Sequence, residues 1–143
     1  MIKSFTAVLF SIVLLCSCKK DTEQAPPVVE EKNVEKELAG TYEGFKFFNK
    51  STKDSLAVTL KVSWVADKKL DLEEIKPFNH FKKLDLNGMD FTYDRGTGED
   101  DCGRISMKGT GNFKGSRLYV IETITCTSGN AADKFVEYKV TKI

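Results

Sequence analysis

The sequence predicts an all-β domain, about eight antiparallel strands in a meander that closes into a barrel, set behind an N-terminal segment that does not belong to the fold. Three observations carry this expectation. Leu56, Val58, Leu60, Val62 and Trp64 occupy alternate positions while Thr59, Lys61 and Ser63 take the others, which is the period of a half-buried strand. Asn87-Gly88 and Asn112-Phe113-Lys114-Gly115 place turn-forming residues between apolar runs, the chemistry of hairpins. No long helical pattern interrupts the segment 38–143. A β-sandwich is the alternative for strands spaced in this way, and closure is preferred because it removes both exposed edges.

Taken in order, Thr41 to Phe47 alternates with aromatic residues and Asn49 to Asp54 is a polar turn. The Leu56 to Trp64 strand follows, and Asp67-Lys68-Lys69 turns the chain so that Leu70 to Ile75 returns against it. Pro77 interrupts. Phe81 to Leu86 and Met89 to Tyr93 flank Asn87-Gly88, and a turn there sets Leu86 against Met89 and Leu84 against Phe91. Arg104 to Thr110 and Arg117 to Thr125 form the next hairpin. Ser128 to Asp133 is a loop, and Phe135 to Val140 is a last strand that pairs with the first.

The N-terminus reads as a secretory signal over residues 1–17: Lys3 is the positive flank and Phe5 to Leu15 an apolar run of eleven residues. A transmembrane helix needs about twenty apolar residues, so this run is too short to span. Leu15-Cys16-Ser17-Cys18 resembles the lipobox of bacterial lipoproteins, with an aliphatic residue, a tolerant position, a small residue and the lipidated cysteine. The resemblance implies a palmitate-bearing anchor on Cys18. It also implies a cell envelope location, lipid-anchored to the outer membrane on its periplasmic or outer face. Residues 18–37 are charged, contain Pro26-Pro27 and bury no apolar stripe, as befits a linker; Glu30 to Leu38 fits a short helix. Lys20-Asp21-Thr22-Glu23 resembles the export signal of surface lipoproteins of Bacteroidota, and a solvated leader explains it equally well.

Cysteine usage agrees with that compartment. Cys16 leaves with the signal and Cys18 takes the lipid, so Cys102 and Cys126 remain to form a disulfide. A three-residue hairpin loop with Asn112 opposite Ser116 sets Cys102 opposite Cys126. A two-residue Lys114-Gly115 turn instead pairs Ile105 with Ile124 and Gly111 with Leu118, and sends the cysteines to opposite faces.

Leu38-Ala39-Gly40-Thr41-Tyr42 resembles the entry to the first strand of lipocalin-like barrels, with Tyr42 where that family carries Trp. With the anchor, spacer and meander, the layout is similar to small lipocalin-like lipoproteins of Bacteroidota. The resemblance implies that Tyr42 packs across the closed end and that its hydroxyl needs a partner. Lys139 and Lys142 are candidates for the basic residue over it. It further implies a small apolar or amphipathic ligand in the barrel, with Tyr42, Phe45, Leu60, Trp64, Phe91 and Tyr119 as the binding residues. An eight-stranded barrel is at the size where side chains either fill the interior or leave room for one ligand. The other expectation is an interaction protein, an inhibitor or accessory subunit contacting an envelope protein, with Phe78, His80 and Phe81 as its exposed set.

The remaining chemistry is sparse, and the protein is expected not to be an enzyme. With Lys3 removed, the 22 basic residues fall to 21 against 21 acidic ones. No basic stripe stands out, which disfavours nucleic acid; a monomer is expected. The lone His80 lacks ligand or triad spacing. Asp94, Glu99, Asp100 and Asp101 lie in a glycine-rich loop without the spacing of a calcium site, so no metal and no cofactor is expected. Glu73 and Glu74 face opposite ways on a strand. The glycines at 96, 98, 109, 111 and 115 precede no helix, so they form no phosphate cradle.

Overall fold

Alternation of apolar and polar residues produces eight strands, and in the computed structural model, which describes residues 33–143, they close in sequence order. The strands are β1 (Gly40–Phe48), β2 (Ser55–Ala66), β3 (Lys69–Lys76), β4 (His80–Asn87), β5 (Asp90–Asp100), β6 (Gly103–Lys114), β7 (Arg117–Cys126) and β8 (Lys134–Lys142). Every neighbouring pair is antiparallel. The meander closes where β1 pairs with β8, Tyr42 opposite Lys142 and Phe48 opposite Val136. The expected barrel is therefore present, and both sheet edges are consumed by each other. The signal segment 1–17, Cys18 and most of the linker 18–37 lie outside the described residues.

One end of the barrel is closed. A short helix, α1 (Val34–Leu38), starts at Asn33, whose side chain accepts from the Lys36 amide. It sits where the chain enters β1. Glu35 accepts from the Lys68 amide at 2.7 Å and the Glu37 carbonyl accepts from Lys142 Nζ at 2.5 Å, which fixes the helix to the β2–β3 turn and to the end of β8. Under it lies the apolar core. Tyr42 meets Phe113 edge-on at 6.2 Å between ring centroids, Phe113 meets Phe91 at 5.4 Å, and Leu70, Leu86 and Leu118 are buried around them.

Both glycine hairpins turn one position later than the sequence suggests. Asn87 pairs with Asp90 and Leu86 with Phe91, not Met89; Lys114 pairs with Arg117, so Gly115-Ser116 is the turn. In each, glycine takes the first central position with positive φ, +65° at Gly88 and +60° at Gly115, as a type II′ turn requires. Neither register expected for the second hairpin holds: Cys126 faces Ile105, not Cys102. The Cys102–Cys126 disulfide forms nevertheless. Cys102 lies in the turn before β6, which folds back over the end of β7 and brings the two Cα atoms to 6.2 Å.

A third correction concerns the acidic glycine-rich segment. Residues 94–100, expected as a loop, continue β5 against β6, with Gly98 opposite Ile105. The pairing slips between Asp94 and Gly96, leaving Arg95 as the extra residue of a bulge.

Candidate functional site

The interior changes character along the barrel axis. Toward the end opposite α1, inward positions that alternation reserves for apolar residues hold Lys46, Glu74, Lys82 and Glu122, none more than 2% exposed. Each is in phase with core residues of its own strand: Lys46 with Tyr42, Glu74 with Leu70 and Leu72, Lys82 with Leu84 and Leu86, Glu122 with Leu118 and Val120. That phase places charge inside.

The charges are arranged as two pairs and a remainder. Lys46 Nζ donates to Glu74 Oε1 at 2.5 Å, and the Tyr138 hydroxyl donates to Glu74 Oε2 at 3.0 Å. Arg95, aimed inward by the bulge, donates to Glu122 Oε1 at 2.6 Å; the Tyr93 hydroxyl donates to Glu122 Oε2 at 2.9 Å. Lys82 is the remainder. Its Nζ reaches the Tyr138 hydroxyl oxygen at 3.4 Å and lies 5.0 Å from the centre of that ring. No carboxylate among the described residues lies within salt-bridge distance of it. His80 Nδ1 stands 3.6 Å from Glu74 Oε2.

Glycines make room for this network. The Tyr93 ring lies over Gly109, where an added Cβ would fall 2.1 Å from the ring, and Phe91 lies over Gly111 in the same way. These pairs are cross-strand neighbours on β5 and β6, and the next residue in the Gly109 row is Glu122. Absence of a side chain at 109 is thus what lets the Tyr93 hydroxyl reach the carboxylate.

Burial sets the protonation of the cluster. It pulls the Lys82 ammonium down to about 8, an effect that Glu122 opposes and Arg95 reinforces. Burial pushes the Tyr93 and Tyr138 hydroxyls well above the ordinary phenol range, helped by Glu122 and Glu74 respectively, so both stay protonated donors. His80 is held below the usual imidazole value by burial first and by the Arg95 charge second. It is neutral at pH 7.

The rim above these groups is aromatic. Phe78 and Phe48 place their rings 4.3 and 5.8 Å from Lys46 Nζ, and Phe78 stacks on His80 at 5.8 Å. Phe78 is 49% exposed, and the Arg95 and His80 side chains are also reached by solvent.

The residues singled out from sequence are distributed differently. Tyr42, Leu60 and Phe91 point inward and are buried in the apolar half. Tyr42 does pack across the closed end, donating its hydroxyl to the Leu38 carbonyl at 2.8 Å, and burial raises it to about 12. Lys142 is its cross-strand partner, whereas Lys139 lies on the outside over Phe47. Trp64 stands at the edge of the closed end, partly exposed, beneath Lys36 at 4.7 Å. Phe45 and Tyr119 are corrections: both have outward parity, because Gly44 and Lys46, in phase with Tyr42, flank Phe45, and Leu118 and Val120 flank Tyr119, on the inner face. Each lines a shallow cleft of the outer wall, about 450 Å³ beside Phe45, Ala57 and Lys76, and about 360 Å³ beside Tyr119, Lys114 and Arg117. Glu73 and Glu74 do face opposite ways. Among the described residues, no three His, Cys, Asp or Glu side chains converge as metal ligands; Asp100 and Asp101 instead bind Lys134.

Comparison with models of known protein families finds no match, and comparison with curated proteins finds none either. The fold and the cluster themselves define what class this is: a closed eight-stranded antiparallel barrel, compatible with a lipocalin-like ligand-binding domain, with ionisable groups buried at one end.

Proposed function

We propose that this chain is a lipid-anchored protein of the bacterial outer membrane whose barrel binds a small amphipathic ligand at its aromatic, charged mouth. The observation that carries the reading is the asymmetry of the barrel: one end is sealed by α1 over an apolar core, and the other buries charge beneath Phe48 and Phe78. An amphipathic molecule suits this better than a purely apolar one, which would cover ionised groups without offering them a partner. The anchor rests on Leu15-Cys16-Ser17-Cys18. The protein is read as a monomeric binding module, with no role in catalysis or in nucleic-acid recognition.

Two measurements test this. Metabolic labelling with a palmitate analogue is expected to mark the wild type and not Cys18→Ser; equal labelling removes the anchor. Native mass spectrometry of the protein purified from its own host's envelope is expected to show a bound small mass. An empty barrel favours the second reading, an interaction protein that contacts an envelope partner through aromatic surface; Phe78 and Phe81, each about half exposed, support it.

A further inference from the structure

Counting charge at the mouth gives an imbalance. Lys46 is matched by Glu74 and Arg95 by Glu122, and Lys82 is left with only a phenol oxygen at 3.4 Å. A buried ammonium without a carboxylate is expensive to keep, so such groups are matched by a counter-charge or lose their proton. Among the described residues the cluster sets three cations, Lys46, Lys82 and Arg95, against two carboxylates, Glu74 and Glu122, and each carboxylate already holds one of the other two cations. A ligand carrying one negative charge would restore the balance.

His80 opens β4 at the mouth and Lys82 is the next inward residue on the same strand, one step deeper. The solvent-reached groups of the cluster, His80, Arg95 and Phe78, are the ones that stand outside Lys82. Of these, His80 and Phe78 belong to neither ion pair, so they can give way to a ligand while Lys46–Glu74 and Arg95–Glu122 stay in place. Above them the Phe48 and Phe78 rings offer apolar surface for a chain.

We propose that the mouth binds a singly charged amphipathic acid, its carboxylate taken by Lys82 and its apolar chain laid against Phe48 and Phe78. The proposal rests on the binding reading above and narrows it to a ligand class. Lys82 neutralises easily, at about 8, so the bound anion must restore the proton when the complex forms at higher pH. The groups that face Lys82 are Lys46 on β1, Glu74 on β3, His80 on β4, Tyr93 and Arg95 on β5, Glu122 on β7 and Tyr138 on β8. Both tyrosines are held protonated and His80 neutral near pH 8, which leaves Lys82 as the group that changes there.

The test is calorimetric titration of the full chain in non-ionic detergent with hexanoate, hexanol and hexylamine, blanked against protein-free micelles. Hexanoate is expected to bind one to one and at least about tenfold more tightly than hexanol, the effect of one charge-assisted hydrogen bond. Its affinity should fall by roughly tenfold per pH unit above about 8. Lys82→Met should lose that advantage. Hexanol equal to hexanoate, or full hexanoate affinity in Lys82→Met, overturns the acid-binding inference while the binding reading stands. Failure of all three probes to bind overturns both. The hexanoate-to-hexanol ratio and its pH dependence are measured on the wild type, so they hold whether or not the variant folds.

Discussion

At the α1 end the barrel buries Tyr42, Phe91, Phe113 and Leu118 against one another, whereas at the mouth equally buried positions hold Lys46, Glu74, Lys82 and Glu122. The connections differ in the same sense. The α1 end has the two-residue turns Asp67-Lys68, Gly88-Met89 and Gly115-Ser116, while the mouth carries longer loops over residues 49–54 and 127–133. Apolar packing stabilises the first end in a way that salt and pH hardly touch. The second holds charges whose desolvation is recovered only through specific partners, so it contributes little to stability and is sensitive to every change of charge. A barrel that needed only to fold would use the same packing at both ends. The difference puts stability at the helix end and supports the proposal that binding takes place at the mouth.

The largest expected effect breaks the mouth. Glu74→Leu removes the acceptor of both Lys46 and Tyr138 and leaves two buried ammonium groups together. Breaking a buried pair from one side costs about 4 kcal/mol, to be read from urea denaturation at pH 7. A loss below about 1 kcal/mol would mean that water already reaches Lys46, and the contrast between the ends would fail.

Reduction of Cys102–Cys126 comes next. The bridge joins residues 24 apart and ties the turn before β6 to the end of β7, both at the mouth. Closing a loop of that length is worth about 3 kcal/mol, so the reduced protein should denature at correspondingly lower urea. Hydrogen exchange should rise in β5 to β7 near residues 100–106 and stay slow around Tyr42 and Leu118. Uniform loosening of both ends would show that the two halves unfold as one.

Lys82 gives the pH dependence. Its folded value, about 8, lies below the ordinary 10.5, so between these values the unfolded chain holds more protons than the folded one. Stability attributable to Lys82 therefore rises with pH, by about 2 kcal/mol between pH 8 and pH 10. Tyr93 and Tyr138, raised by burial, act oppositely once pH passes the ordinary phenol value of 10. The measurement is accordingly the difference between wild type and Lys82→Met: the variant should be the more stable at pH 7, and the gap should narrow by pH 10. A constant gap would show that Lys82 is solvated.

Much of the fold is legible in the sequence because its period is regular: the run from Leu56 to Trp64 and the two glycine hairpins are enough for a closed meander. Registers are not legible, since Asn87-Gly88 reads equally as either half of a two-residue turn, and only the fit of a positive φ to the first position decides it. The segment from Asp94 to Asp100 reads as a loop because glycine and acidic residues dominate it, yet a barrel strand tolerates them where its outer face meets water. The mouth escapes a reading by composition for a related reason. Phase identifies Glu74, Lys82 and Glu122 as inward: each stands two residues from a buried leucine or valine on its strand. Bulk has the opposite effect, directing attention to Phe45 and Tyr119, which alternate to the outside.

The smallest effect sharpens the contrast from the closed end. Tyr42→Phe deletes the hydroxyl that donates to the Leu38 carbonyl at 2.8 Å and keeps the ring against Phe113. Loss of one neutral hydrogen bond in a buried site costs about 1 kcal/mol. Because burial holds this hydroxyl up to about 12, its bond persists across the range in which Lys82 titrates. The penalty of Tyr42→Phe should then be the same at pH 7 and pH 9, below the ordinary phenol value of 10, while the Lys82→Met gap changes over that interval. Faster amide exchange confined to Val34–Leu38 would place the loss at the helix. A Tyr42→Phe penalty that varied between pH 7 and pH 9 would mean that the two ends are electrostatically coupled through the barrel, and the division of labour between them would have to be redrawn.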